Sequence, residues 1–394
     1  MPEIRYLDNA ATVFPKPDSV YDAMNSFYRR LGVNPGRSGY DLAVEAGLVI
    51  DGARRALDAF FHNPARDHNR LVFAANASDA LNLLIQGIVR PGDHVVSTQL
   101  EHNSVLRPLY VLEDDGVITH DLAPFDGDGF VDPDEIARLI RPETRLVIVN
   151  HGSNVLGTVQ PVAEIGRLCR ERGVLFAIDS AQTAGLVPID MEAMNIDVVA
   201  FTGHKSLLGP TGIGGLAIGP DVPIRSTRWG GTGVKSAVRR HLDEFPYRCE
   251  VGTLNTVGIA GLLAGHDWLA ERGLDAIRSH EMELARRLAE GLLALDGVRV
   301  YCAGWDDRHL PVVLCTVDNL EAGEVGTILD VQYDIAVRTG LHCAPLAHEG
   351  IGTAPLGAVR FSVGPFNVRA DIDAALTAMR EITLNFAAKG RRQA

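Results

Sequence analysis

The sequence predicts an α/β protein: a large domain on a mostly parallel β-sheet, followed by a smaller α+β domain. Three observations carry this. Between about residues 20 and 217, short apolar runs alternate with stretches whose apolar residues recur at helical spacing, the pattern of βαβ units. Around residues 219–246 that regularity fails, in a segment containing Trp229-Gly230-Gly231-Thr232-Gly233 that reads as a flexible surface loop. From residue 257 a tract rich in Ala, Leu, Glu and Arg runs through residue 295 and leads into strand-like runs at 297–302 and 311–317. A length of 394 residues accommodates two such domains. The expected division is residues 16–257 for the large domain and residues 1–15 with 258–394 for the small one.

Residues 71–73, 94–97, 146–149, 175–178 and 198–201 are the clearest strands. They are short and rich in β-branched residues, as strands buried on both faces should be. Residues 79–87, 133–140 and 161–172 carry helical patterns between them. The last ends on Arg170 and Arg172 followed by Gly173, a cationic final turn with a glycine stop.

Composition narrows the function. With 46% hydrophobic and 22% charged residues, neither disorder nor a fibrous repeat is indicated. A formal charge of −13 opposes non-specific attraction to nucleic acid or anionic lipid and favours a small-molecule substrate. Met1-Pro2-Glu3-Ile4-Arg5 lacks the basic and apolar regions of a secretory signal, and no uninterrupted apolar run reaches about 18 residues, so a cytoplasmic protein is expected. Cys169, Cys249, Cys302, Cys315 and Cys343 are too scattered for a disulfide framework, and no C-x-x-C pair suggests a metal.

Two strand ends carry chemistry. Asp179-Ser180-Ala181-Gln182 follows one apolar strand and Thr202-Gly203-His204-Lys205 the next, so both present polar groups at the carboxyl edge, where open α/β sheets bind ligands. Lys205 lies among glycines, and a partly buried amine loses enough basicity for Schiff-base chemistry. A carboxylate such as Asp179, set on the pyridinium nitrogen of pyridoxal 5′-phosphate (PLP), keeps that nitrogen protonated and makes the ring a better electron sink. Read singly, Asp179 is equally a helix cap and Lys205 equally a surface lysine. Their joint pattern favours the cofactor.

Asp179-x-x-Gln182 with Thr202-Gly203-His204-Lys205 resembles the class V aminotransferase-like PLP enzymes, specifically cysteine desulfurases of the second type and selenocysteine lyases. The resemblance extends from Tyr6-Leu7-Asp8-Asn9-Ala10-Ala11-Thr12 through Glu101-His102-Asn103 and Ser153-Asn154-Val155-Leu156-Gly157-Thr158 to Arg360-Phe361-Ser362 and Asn367. It implies the fold type I architecture of PLP-dependent transferases. It also implies that Lys205 binds PLP and shuttles protons, that His102 stacks on the ring, that Asn154 and Gln182 bond the ring oxygen, and that Asp179 bonds the ring nitrogen. Ala77-Ser78, at a helix start where free N–H groups favour an anion, would hold the phosphate with Ser78, Thr202 and His204. Gly252-Thr253 matches a segment that completes the partner's phosphate cup, which implies a homodimer. Without the family pattern, His102 and His204 read as structural histidines and Ser78 as a plain N-cap.

Cys343, within Arg338-Thr339-Gly340-Leu341-His342-Cys343-Ala344-Pro345, decides the subfamily. Removing sulfur from a substrate needs a nucleophile to receive it, and a thiolate beside His342 and near Arg338 suits that task. Cys315 and Cys169 read better as small buried hydrophobes, while Cys249 and Cys302 stay undecided. Leu341 stands where this type more often has histidine, with His348 a candidate replacement. Arg360 matches the clamp for the substrate carboxylate, a role suited to its two-point hydrogen bonding, with Asn154 as a second substrate-binding residue. The expected activity converts L-cysteine to L-alanine with a persulfide on Cys343, for iron–sulfur cluster assembly or another pathway with a sulfur-acceptor protein. Alternatives are L-selenocysteine lyase, another C–S lyase, or a class V aminotransferase or epimerase.

Overall fold

Seven strands between residues 71 and 218 assemble into one sheet in the spatial order Leu71–Ala74, Gly214–Ile218, Val198–Thr202, Leu175–Asp179, Thr144–Asn150, Asp93–Thr98 and Ile118–Ala123. All neighbours are parallel except Gly214–Ile218, which runs antiparallel to both strands beside it. The computed structural model describes residues 4–35, 39–302, 304 and 306–393, with side chains through residue 385. Residues 1–3, on which part of the signal-sequence reading rests, lie outside the described residues.

Five of the strands read as largely apolar runs because both faces are covered. Phe73, Val147, Ile178 and Phe201 pack on one face, and Val72, Ile148, Ala177 and Leu216 on the other. Each fully buried Val, Leu, Ile or Phe contributes about 1.5–3 kcal/mol. All five strands expected from the sequence form, and the three helices appear as Ala77–Ile88, Pro133–Leu139 and Val162–Arg172. The last stops at Gly173, whose left-handed φ of 66° closes the helix on the carbonyls of Cys169 and Arg170.

Two strands escape the apolar pattern for physical reasons. Ile118–Ala123 is an edge strand with only its terminal residues fully buried. Gly214–Ile218 opens with two glycines because it passes so close to the turn before Ala77 that a Cβ on Gly214 would sit 2.8 Å from the Asn76 Cα. The tract beginning at 257 forms two helices, Thr256–Arg272 and Leu274–Leu293, broken at Gly273 with φ 79°. The first packs against Asp18–Leu31 and Asp41–Phe60, the second against the C-terminal Arg369–Gln393.

A second, antiparallel sheet has the order Arg338–Gly340, Ala358–Ser362, Val312–Val317 and Val298–Val300. Its core joins Val313, Val359 and Phe361 to Leu288 and Met379 of the two helices. The N-terminal strand Arg5–Tyr6 pairs with Ile335–Ala336, and Asp8 bridges Ser362. The chain's beginning is thereby fastened beside the strand that carries Arg360. Residues 219–255 contain neither helix nor strand, and Trp229 there is 73% exposed. Among the described residues no helix is long and apolar enough to cross a membrane.

Candidate active site

Three parallel strands end together. Asn150 pairs in register with Asp179, and Asp179 with Ala200, so Asn150, Asp179 and Thr202 emerge at one carboxyl edge. A cavity of about 310 Å³ opens above it. Ala77, Ser78, His102, Asn154, Asp179, Gln182, Thr202, His204, Lys205, Cys343 and Arg360 all line this cavity, although they span more than 280 positions of sequence. Thr253 is the exception: it is exposed and lies outside the cavity of its own chain.

Asp179 is 6% exposed and accepts a hydrogen bond from the Ala181 N–H at 2.9 Å. Burial pushes its carboxyl upward, opposed by that bond and by Lys205. Lys205 lines the open cavity, so part of its surface is accessible, yet burial draws its amine down to about 8, with Asp179 pulling the other way. A lysine of that basicity is partly unprotonated near neutrality, as nucleophilic attack on an aldehyde requires.

Opposite them, Asn76 caps the helix Ala77–Ile88 by accepting from the Asp79 N–H, leaving the Ala77 and Ser78 amides at the cavity wall. Ser78 Oγ lies 2.6 Å from Ser104 Oγ. Thr202 Oγ and His204 Nδ1 are buried with no hydrogen-bond partner among the described residues. A helix start plus two unsatisfied polar atoms fits a phosphate, since buried polar groups are rarely left unpaired. His102 caps the helix Asn103–Asp114: its Nδ1 accepts from the Ser104 N–H at 3.0 Å, so the proton sits on Nε2. Burial and then Lys205 lower His102 to about 4, keeping its ring neutral.

The chain's beginning supplies a further wall. Ala10 and Ala11 line the cavity, and the Gln182 amide donates to the Ala10 carbonyl at 3.0 Å. Asn154 donates through Nδ2 to the His342 carbonyl at 2.6 Å, while its Oδ1 has no partner among the described residues. Each amide retains a second N–H for a ligand. Arg360 is 1% exposed. It donates to Asp8 Oδ1 at 2.7 Å and to the Asn154 carbonyl at 2.9 Å, and its buried Nε–H has no partner among the described residues. The surface salt bridge open to an isolated arginine is therefore excluded; the guanidinium is held inside with donors to spare.

Cys343 is half-buried on the cavity wall, and Arg338 Nη2 lies 3.9 Å from its Sγ. His342 and Cys343 adopt φ of 50° and 59°, a left-handed pair that costs about 1–2 kcal/mol per residue and must be held by its surroundings. Neither histidine suggested for this loop faces the thiol. His342 bonds His348 and the Arg338 carbonyl, and His348, with no exposed surface, bonds His342 and Thr353. His348 thus does not replace a histidine at position 341, because both its nitrogens are engaged in the interior. The other thiols are poor nucleophiles: burial pushes Cys169, Cys249 and Cys315 up to about 12, and Cys302 up to about 11.

Sequence reasoning missed Asn150, Ser104 and the Asp8–Arg360 pair. Asn150 was accessible to the strand-end argument that found Asp179, since it terminates the neighbouring strand. The pair joins residues 352 positions apart, and neither carries a local signal of the other.

Residues 5–375 match the model of the family described as aminotransferase class-V. The chain belongs to that family. Among curated relatives, this class-V chain is 34% identical over 383 residues to a probable cysteine desulfurase of Methanothermobacter thermautotrophicus, covering 96% of this chain and 94% of the relative. It is 33% identical over 389 residues to a cysteine desulfurase of Enterobacter sp., covering 96% and 93%. The apo structure of a cysteine desulfurase from Thermococcus onnurineus NA1 superposes with a TM-score of 0.89 at 32% identity, over 97% of this chain and 95% of that one. The Escherichia coli cysteine desulfurase CsdA gives 0.85 at 26% identity, over the same shares. The fold is the expected type I fold of class-V enzymes.

Proposed function

We propose that the protein is a PLP-dependent cysteine desulfurase that converts L-cysteine to L-alanine and receives the sulfur as a persulfide on Cys343. One observation carries the reading: a single cavity gathers Lys205, Asp179, Arg360 and the half-buried thiol of Cys343. An aminotransferase or epimerase gives that thiol no task.

The donor set fits PLP. Lys205 would bind the aldehyde carbon, Asp179 the ring nitrogen, and His102 the ring face. Asn154 and Gln182 would serve the ring oxygen, and Ala77, Ser78, Thr202 and His204 the phosphate. The bound cofactor supplies an electron sink for charge developing at the substrate Cα. Arg360 fixes the substrate carboxylate, which sets the Cα bonds relative to the ring. Lys205, released as a free amine, carries a proton to and from carbon. The Cys343 thiolate attacks the substrate sulfur, forming an S–S bond as the C–S bond breaks. That bonding pair stays with the carbon fragment, which takes up a proton and leaves as alanine. Cysteine plus enzyme thiol thus gives alanine plus enzyme persulfide, with atoms balanced.

The division into residues 16–257 and residues 1–15 with 258–394 is retained as part of the proposal. Thr256–Arg272, packed on the helices of the first part, forms the joint. Thr253, exposed and outside its own cavity, suits a homodimer in which it reaches the partner's phosphate. A cytoplasmic setting and an acceptor protein for the persulfide complete the reading. Its test is purified protein with L-cysteine, measuring alanine and sulfide with and without reductant beside L-selenocysteine. Alanine and sulfur in equal amounts support it; alanine without a sulfur product contradicts it.

A further inference from the structure

Behind Cys343 lies a buried chain of three side chains. Thr353 Oγ is 2.7 Å from His348 Nδ1, His348 Nε2 is 3.0 Å from His342 Nδ1, and His342 Nε2 is 3.3 Å from the Arg338 carbonyl. The two imidazoles meet edge to edge, with centroids 5.2 Å apart and planes 23° apart. His342 is 4% exposed and His348 0%.

The end of the chain fixes its direction. A carbonyl only accepts, so His342 Nε2 carries the proton and its Nδ1 accepts. His348 Nε2 must therefore donate, its Nδ1 accepts, and the Thr353 hydroxyl donates to it. Burial lowers His342 to about 2 and His348 to about 4, so both rings are neutral, and the Thr353 hydroxyl gives its proton to His348 Nδ1 at 2.7 Å in preference to the His348 carbonyl at 3.4 Å. The chain terminates on Arg338, whose guanidinium lies beside the thiol, and His342, the side chain that reaches it, is the residue preceding Cys343. Two further bonds pin the same loop: Asn154 to the His342 carbonyl and the Asn103 N–H to the Cys343 carbonyl at 2.7 Å.

We propose that His348 is a positioning residue for the nucleophile: with Thr353 it locks His342 in one tautomer and orientation, holding the left-handed His342-Cys343 turn that aims the thiol into the cavity. This rests on the reading of Cys343 as sulfur acceptor. His348 touches neither cofactor nor substrate, so its loss affects sulfur transfer and spares cofactor binding.

The test compares wild type, His348→Phe, Thr353→Val and Thr353→Ser as PLP-loaded proteins. Phe keeps the ring and loses both nitrogens; Val removes only the hydroxyl, and Ser restores it. Single-turnover persulfide formation on Cys343 is followed by mass spectrometry, alongside the visible band of the bound cofactor and iodoacetamide alkylation of Cys343. A misaimed but accessible thiol predicts a fall in persulfide formation of about 10–100-fold for His348→Phe, with the band unchanged and alkylation within about threefold of wild type. Thr353→Val falls by about fivefold, as for one hydrogen bond, and Thr353→Ser stays within about twofold of wild type. If His348→Phe fails to fold, the Thr353 pair decides by the same split. Wild-type persulfide rates in both His348→Phe and Thr353→Val, or a fall matched by equal loss of cofactor and alkylation, overturn the positioning role. Persulfide absent from the wild type overturns the sulfur-acceptor reading itself.

Discussion

Replacing Arg360 by alanine removes the proposed carboxylate clamp, and the structure sets the size of the effect. A guanidinium holding a carboxylate at two points makes two hydrogen bonds between charged groups, each worth about 1.5–3 kcal/mol. Their loss, about 3–6 kcal/mol, lowers kcat/KM by roughly 10²–10⁴-fold, at about 1.4 kcal/mol per factor of ten. Lysine keeps the charge and loses the fork, which predicts a fall of about 10–10²-fold. The variant also strands Asp8. Breaking the 2.7 Å pair costs about 3 kcal/mol of stability, the low end for a buried pair because the Asp8 side chain retains 19% exposure. The kinetics are therefore read only on protein with wild-type circular dichroism and cofactor content. Both KM and kcat should worsen, since orientation as well as binding is lost. A kcat/KM for Arg360→Ala within about threefold of wild type would refute the clamp, for no pair of charge-assisted bonds is that weak.

Two more predictions follow from the site. Burial lowers Lys205 to about 8, so the amine sheds its proton as pH rises through that value, and the rate at which apoprotein captures PLP should rise with a midpoint near pH 8 and level off about one unit above it. His102 and His204, both lowered to about 4, stay neutral across that window. A midpoint near the ordinary lysine value of 10.5 in stopped-flow absorbance would contradict the assignment, and Lys205→Ala should show no wild-type visible band. Thr253→Ala should weaken PLP binding by about 10–10²-fold, the loss of one bond to a charged phosphate, in a protein whose own cavity is unaltered. Unchanged affinity in a PLP titration, with a monomer by light scattering, would remove Thr253 from the site.

Much of the fold is legible because the central strands are buried on both faces and leave little sequence ambiguity. The misses have local causes: Ile118–Ala123 is polar because it is an edge, and Gly214–Ile218 opens on two glycines, the first of which crowds Asn76. The site divides in the same way. Asp179 ends one strand and Lys205 follows shortly after the end of its neighbour at Thr202, so their meeting follows from topology. What holds Arg360 and Cys343 is not readable in that manner, since Asp8 reaches Arg360 across 352 positions and His348 acts on Cys343 through a second buried ring.

In the proposed reaction sulfur passes from the substrate to Cys343. Its most direct measurement is mass spectrometry of the PLP-loaded protein after one turnover of L-cysteine, set beside Cys343→Ala. Cys343 should gain one sulfur atom in step with alanine. In Cys343→Ala, cofactor binding should survive and cysteine turnover fall by about 10² or more, because no thiolate receives the sulfur. L-Selenocysteine should lose less, selenium being the better leaving group. Wild-type desulfuration of L-cysteine by Cys343→Ala, with no persulfide on Cys343 in the native protein, would rule out Cys343 as the sulfur acceptor.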